Sequence, residues 1–163
     1  MSSFALRECR PQDLDNVVAL EQDSFADSAY TKDDFAYLME RAKGGFTVAI
    51  EGGRLLGYVI AVGEGRTGII QSIAVATEFR RKGVGEALMR SALQYLSAFE
   101  CIRLLVNSNN AVAMSLYRKL SFRETGRIIK GYYRNGDDAV EMVRTREASK
   151  DGMVSKDGMV SKD

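Results

Sequence analysis

Histidine and tryptophan are absent from this 163-residue sequence, proline occurs once and cysteine twice. Without imidazole there is no Ser-His-Asp triad, no His-Cys dyad and no His-ligated zinc or haem, since each needs a group that takes a proton or a metal near neutral pH. Cys9 and Cys101 are too few and too far apart in sequence for a thiolate zinc site, so no metal is expected. So few thiols also point to a reduced, cytoplasmic protein rather than a secreted one built on disulfides. Neither sign of charge is in excess: the formal net charge is +1, which gives no bulk field to gather nucleic acid or an anionic membrane. Any basic site must be local. Arg7, Glu8 and Arg10 interrupt the first ten residues, where a signal peptide would need an apolar core. The uncharged run Thr67–Thr77 is well short of the ~20 residues that span a bilayer. A soluble protein that binds neither nucleic acid nor membrane is the expectation.

What is present suits one globular domain: 45% hydrophobic and 28% charged residues over this length can bury a core, and a second full domain does not fit. Phe4–Cys9 alternates as an opening strand. Pro11 suits a first helical turn, and Leu14, Val17 and Val18 form one face of a helix ending near Glu21. Thr31 and Asp34 have the spacing of a capping box ahead of Phe35, Leu38, Met39 and Ala42, with Gly44-Gly45 as the stop. Phe46–Glu51 and Arg54–Val62 read as strands joined by the hairpin pair Gly52-Gly53, with Ile69–Val75 as a third. From Gly83 to about Leu96 the period turns helical, with Val84, Ala87, Leu88, Ser91, Ala92 and Tyr95 on one stripe. A short strand, Ile102–Val106, precedes a helix carrying Val112, Leu116 and Leu120. Strands at Phe122–Ile129 and Ala139–Thr145 flank the turn Asn135-Gly136-Asp137. The domain is thus 1–146. Residues 147–163 repeat Ser-Lys-Asp-Gly-Met-Val with a period of six, too short and polar for stacked structural repeats, and read as an extension.

Two glycine motifs need separate treatment. Gly63-Glu-Gly65-Arg-Thr-Gly68 fits a dinucleotide fingerprint by spacing, but a strand follows where that fingerprint needs a helix, so it reads as a hairpin loop. Gly63 and Gly68 also have Walker A spacing, with Ile69 and Ile70 where Lys and Ser/Thr are required. Arg80-Arg81-Lys82-Gly83-Val84-Gly85 does sit between a strand and the long helix. Unpaired amides at a helix start, glycines that allow close backbone approach and three cations make it an anion site.

Ser72-Ile-Ala-Val75, Arg80-x-x-Gly83-x-Gly85, Asn110 with Ala113, and Leu116-Tyr117-Arg-Lys-Leu-Ser-Phe122 together resemble the GNAT acyl-CoA N-acyltransferases. Lys130-Gly-Tyr132-Tyr133-Arg-Asn-Gly136-Asp-Asp138-Ala-Val-Glu-Met142 is similar to the ending of the RimI-like and archaeal protein N-terminal acetyltransferases. The resemblance runs from about Phe4 to Arg146. It implies an α/β GNAT fold with a mixed, mostly antiparallel central sheet whose splayed strands form an acetyl-CoA cleft. It implies acetyl transfer from acetyl-CoA to a protein N-terminal α-amine by direct attack of the amine. Arg80, Arg81, Lys82, Gly83, Val84 and Gly85, followed by Glu86, would cradle the CoA pyrophosphate. The backbone of Ile73, Ala74 and Val75 would hold the pantetheine arm and place an N–H near the thioester oxygen. Asn110 would contact the CoA arm, cap a helix, or both. Tyr117 would stand beside the CoA sulfur as general acid and contact the cofactor. Tyr132 and Tyr133 would hold the backbone of a substrate peptide, while Phe25 and Asp27, between the first two helices, would line its first side chain.

One departure bears on mechanism. RimI-like enzymes carry a Glu general base at the position of Leu105, and other relatives use a Tyr or His at the position of Ile69. Neither apolar residue takes a proton. Glu21, Asp23, Asp27 and Glu64 remain as carboxylates that could act through water. Two rival functions follow: acetylation of lysine or a small-molecule amine, and a CoA-binding regulator without turnover. The preferred N-terminal residues, the oligomeric state, ribosome association and the tail's role stay open.

Overall fold

The computed structural model describes residues 3–26 and 29–146; Asp27 and the repeated tail 147–163 lie outside the described residues. Among those described there are seven strands and four α-helices, in two compact units formed by residues up to 63 with 69–98, and by 64–68 with the residues from 99 on.

In the first unit Pro11 starts a 3-10 turn, Pro11–Asp13, that runs into helix α1, Leu14–Phe25. Asp13 accepts from the Arg10 backbone N–H at 2.7 Å and takes both arms of the Arg7 guanidinium at 2.7 and 2.9 Å. The helix continues four residues past the Glu21 expected from sequence, and Glu21 lies buried on the stripe that continues to the half-buried Phe25. Helix α2, Lys32–Arg41, starts with the expected box: Thr31 Oγ1 accepts from Asp34 N–H at 3.2 Å, and the Asp34 carboxylate accepts from Thr31 N–H at 2.8 Å.

Strands β1 (Ala5–Glu8), β2 (Phe46–Glu51), β3 (Arg54–Glu64) and β4 (Thr67–Val75) lie side by side in that order, with β1–β2 and β2–β3 antiparallel. Gly52 and Gly53 both take positive φ, +59° and +76°, as a two-residue primed turn demands. Alternation along these strands sends Phe46, Val48, Tyr58, Ile60 and Val62 into a core with Val17, Leu20, Phe35 and Leu38 of α1 and α2. Helix α3, Val84–Tyr95, packs on β2. Gly57 allows this layer to close on β3, because a Cβ there would stand 2.8 Å from the Ala74 carbonyl and 3.1 Å from Leu88. The buried stripe of α3 is Val84, Leu88, Met89, Ala92 and Leu93, turned from the expected one. Tyr95 is largely exposed instead, its ring over Gly45 and its hydroxyl donating to the Lys43 carbonyl at 2.8 Å.

The second unit holds β5 (Cys101–Asn107), α4 (Ala111–Lys119), β6 (Arg123–Ile129) and β7 (Ala139–Thr145), with strand order β5-β7-β6 and antiparallel pairing throughout. Ile102, Leu104 and Val106 stand opposite Arg144, Met142 and Val140. Arg144 Nε donates to the Leu120 carbonyl at 2.9 Å, which places the C-terminal end of α4 over this face. The residues of α4 that become buried are Met114 and Tyr117, followed by Leu120, whereas the expected Val112 is 68% exposed. Seven apolar residues surround this short helix, so periodicity alone did not fix its inner face. The β6–β7 register breaks between Glu124 and Ile128, around Gly126 at φ +94°. No helix among the described residues is long and apolar enough to cross a membrane.

Candidate functional site

The GxGxxG stretch is the expected hairpin: β3 ends at Glu64, β4 begins at Thr67, and Gly65 turns at φ +62°. The second glycine motif precedes α3. Gly83 is the N-cap residue at φ +87°, with no side chain capping the helix. Ala87 N–H donates to the Gly83 carbonyl at 3.0 Å as the helical ladder begins, and the amides of Val84 and Gly85 just ahead of it belong to the first turn, where a helix has no carbonyl of its own to pair them with. Space around Gly83 is open to 4 Å. Arg81, also in the left-handed region at φ +65°, and Lys82 are exposed. Arg80 is partly spent: its Nε donates to the Val75 carbonyl at 3.1 Å, tying the loop to the end of β4. Phe79 lies under the Arg54 and Lys82 cations at 4.8 and 5.8 Å, and Arg54 also pairs with Glu78 at 2.6 Å. Glu86 pairs with Arg90 at 2.8 Å one turn on. Open amides, free space and local cations fit a pyrophosphate.

Behind this loop, Ile73, Ala74 and Val75 form the end of β4, with Ala74 buried and its neighbours half-buried. Two residues earlier the same strand touches the α1–α2 connection, where Gln71 Nε2 donates to the Tyr30 hydroxyl at 2.9 Å. The Ser72 hydroxyl bonds the Tyr58 hydroxyl at 2.9 Å, and Tyr58 in turn donates to Glu21. Of the four carboxylates the sequence leaves open as bases, Asp23 and Glu64 are exposed, Asp27 lies outside the described residues, and Glu21 is 2% exposed. Burial pushes the Glu21 carboxyl above the usual range, against the opposite pull of bonds from Tyr58 and the Tyr30 N–H. Phe25 packs at the end of α1.

In the second unit, Tyr117 lies on α4. Its ring is buried, 6% exposed, and stacks at a tilt 6.0 Å from Phe122. Its hydroxyl has no hydrogen-bond partner among the described residues. Since none of their buried polar side-chain atoms is unpaired, this oxygen keeps contact with solvent. Burial, then the nearby Tyr133, raises its pKa well above the tyrosine reference, so the phenol keeps its proton. Asn110 caps α4 through Oδ1, which accepts from Ala113 N–H at 3.1 Å, and leaves its side-chain amide donors available.

Tyr132, 52% exposed, and Tyr133 meet edge to face at 5.0 Å on the segment between β6 and β7. Asp137, expected only as part of a turn, and Asp138, expected only as part of the C-terminal motif, fix that segment. Asp137 accepts from Asn107 Nδ2 and Asn135 Nδ2 at 2.9 and 3.1 Å, and Asp138 from Gly131 N–H at 2.9 Å and Lys130 at 3.3 Å. Bonds from Asn107, foremost, hold the Asp137 carboxyl below the usual range, and the Gly131 amide does the same for Asp138. The Asn-Gly-Asp-Asp run was the available signal, since such residues bond nearby backbone.

Leu105 faces Glu141 directly across β5 and β7. That carboxylate is buried and occupied, with Oε1 accepting from Thr125 Oγ1 at 2.9 Å and Oε2 from Arg127 at 3.1 Å. Ile69 is half-buried against the first unit's core.

Residues 13–122 match the sequence profile of the acetyltransferase (GNAT) family. The chain is similar to the N-alpha-acetyltransferase of Saccharolobus solfataricus, 30% identical over 156 residues that cover 86% of this chain and 92% of that protein. It is 35% identical over 145 residues to the putative ribosomal protein bS18-alanine N-acetyltransferase of Bacillus subtilis, covering 85% and 93%. Among solved structures, Ard1 from Thermoplasma volcanium superposes with a TM-score of 0.83 at 28% identity, over 88% of this chain and 98% of that one. Arabidopsis thaliana Naa50, in complex with the bisubstrate analogue CoA-Ac-MVNAL, shares the fold with a TM-score of 0.76 at 22% identity, over 88% and 99%.

Proposed function

The chain belongs to the acetyltransferase (GNAT) family, and from that membership we propose that it acetylates the α-amine at protein N-termini, with acetyl-CoA as the acyl donor. Tyr117 carries the reading: a buried phenol that holds its proton, pairs with no described side chain and lies within electrostatic reach of Tyr133. Acetyl-CoA would supply an activated thioester. The first-turn amides of Val84, Gly85 and Glu86, with Arg81 and Lys82, would bind its pyrophosphate. Backbone N–H groups near Val75 would steady the oxyanion, Tyr117 would protonate the departing thiolate, and Tyr132 and Tyr133 would hold the acceptor's backbone. Cys9 and Cys101 are both reduced, in keeping with a cytoplasmic setting.

The absence of a base at Leu105 and Ile69 favours the α-amine over lysine. Only a neutral amine attacks, and at pH 7 roughly a tenth of α-amino groups are neutral, against about 0.04% of lysine side chains. That is a handicap of roughly 300-fold for lysine, which an enzyme without those bases is poorly placed to offset. The test uses acetyl-CoA and two sets of peptides that differ only in whether the N-terminus is blocked, read by mass spectrometry. Acetylation confined to free N-termini is expected, with a rate that climbs to about pH 8. Equal acetylation of an internal lysine in the blocked set would establish the lysine reading instead, and binding of CoA with no turnover on any peptide would make the protein a regulator.

A further inference from the structure

Glu21 occupies a position that an aliphatic side chain would fill by default. It follows Leu14, Val17 and Val18 on the inner stripe of α1, while the other acids of that helix, Asp15 and Asp23, are exposed. Burying a carboxylate is unfavourable unless donors surround it, and here both oxygens are taken. Oε2 accepts from the Tyr30 backbone N–H at 2.9 Å, and Oε1 accepts from the Tyr58 hydroxyl, itself bonded to Ser72 on β4. Tyr30 is held a second time by Gln71 of β4 through its hydroxyl, and its ring stands edge-on to Phe35 at 5.5 Å, as does Tyr58 to the same ring at 5.6 Å. One side chain therefore joins α1, the far end of the α1–α2 connection, β3 and β4. The connection leaves α1 through Ala26 at φ +45°. Glu21 is 2% exposed and each of its oxygens already accepts a bond, which sets it apart from a carboxylate open to collect a proton from an acceptor.

We propose that Glu21 is a positioning residue for the acceptor: it holds Tyr30, at the far end of the α1–α2 connection, against β4 through Tyr58 and Ser72, and so fixes the wall that receives the substrate's first side chain. This rests on the acyltransferase reading above. Ordering the wall in advance reserves binding energy for discrimination among N-terminal residues, since a loose wall would have to be ordered by each substrate in turn.

The experiment compares steady-state kinetics of the full chain with Glu21→Ala, Glu21→Gln, Tyr58→Phe and Gln71→Leu, on peptides that differ only in their first residue. Wild-type turnover on free N-termini is measured first; if none of the peptides is acetylated, the functional reading fails before Glu21 is in question. With turnover present, Glu21→Ala should raise the peptide KM about 10-fold or more and flatten the preference for the first residue, with the acetyl-CoA KM within about twofold of wild type. Glu21→Gln should recover most of the loss, because its carbonyl can accept from Tyr30 N–H while its amide donates to Tyr58. Tyr58→Phe, which removes the bonds to Glu21 and Ser72, and Gln71→Leu, which removes the bond to Tyr30, should lie between, and they carry the test by themselves if Glu21→Ala does not fold. Equal collapse of kcat in the Gln and Ala variants at unchanged peptide KM would overturn the proposal and make Glu21 a proton acceptor. Unchanged peptide KM and first-residue preference in Tyr58→Phe and Gln71→Leu would overturn it as well.

Discussion

Tyr117→Phe removes a single oxygen from a ring that stays buried against Phe122. That oxygen bonds no described residue, so its loss leaves no orphaned partner in the protein, and the folding free energy should change by no more than about 0.5 kcal/mol. Catalysis should respond quite differently. The phenol's pKa is raised by burial and by Tyr133, so its proton stays in place throughout the neutral and mildly alkaline range. Wild-type activity should accordingly show no falling limb from this group as pH rises. Without the hydroxyl, the thiolate must leave unprotonated or take a proton from water. A thiol with a pKa near 8.5 tolerates that, so the expected loss in kcat is about 10- to 100-fold, roughly 1.4 to 2.7 kcal/mol of barrier, rather than complete inactivation. Acetyl-CoA affinity should hold. The assay is single-turnover release of CoA thiol to a chromogenic reagent, with a free-N-terminus peptide in excess, beside thermal unfolding of both proteins. A variant as fast as wild type in the chemical step would refute the acid assignment. A large fall in Tm would refute the premise that the hydroxyl is structurally unengaged.

Gly83→Glu and Gly85→Glu each place a bulky anion where the amides at the start of α3 are open, and calorimetry should show CoA affinity falling by at least about 10-fold with the fold intact; unchanged binding would remove the loop from the cofactor site. Burial, aided by Asp13, pushes the Cys9 thiol up to about 12, so at pH 8 only ~1 in 10⁴ is thiolate. Cys9 should therefore resist alkylation in the native protein and react only on unfolding, as peptide mapping after a timed alkylation would show. Leu105→Glu, which restores a carboxylate familiar from relatives, sets it directly opposite Glu141. The like charges should cost about 0.2–1 kcal/mol of stability at pH 7. Because repulsion raises the folded-state pKa, that cost should shrink as pH falls, and urea titrations at pH 7 and pH 5 that show no difference would refute the coupling.

How far the sequence revealed this arrangement depended on the range of the interaction concerned. The Thr31–Asp34 box, the Gly52-Gly53 turn and the Asn110 cap are settled within four residues, and each appears where its residues stand. The helix start just after the basic glycine loop was legible for the same reason, since a capping glycine acts locally. The end of α1 did not, since what retains Glu21 on the inner stripe comes from Tyr30, nine residues on, and Tyr58, 37 residues on. The inner faces of α3 and α4 were equally out of reach. Each carries more apolar residues than one face can hold, and Met89 and Leu93 on α3, or Met114 and Tyr117 on α4, are selected only by packing. Leu105 told a reader that a familiar base was missing; only strand register put Glu141 beside it.

The broken register of β6 shapes how the protein behaves at high concentration. As the outermost strand of its unit it offers a ladder of backbone groups on which a stray extended chain could add itself. Gly126 interrupts that ladder midway, and Arg123, Glu124 and Arg127 spread charge of both signs along it. The kink and the charges make this edge a poor template for a further strand, so that crowded copies of the protein are kept from joining in a growing sheet.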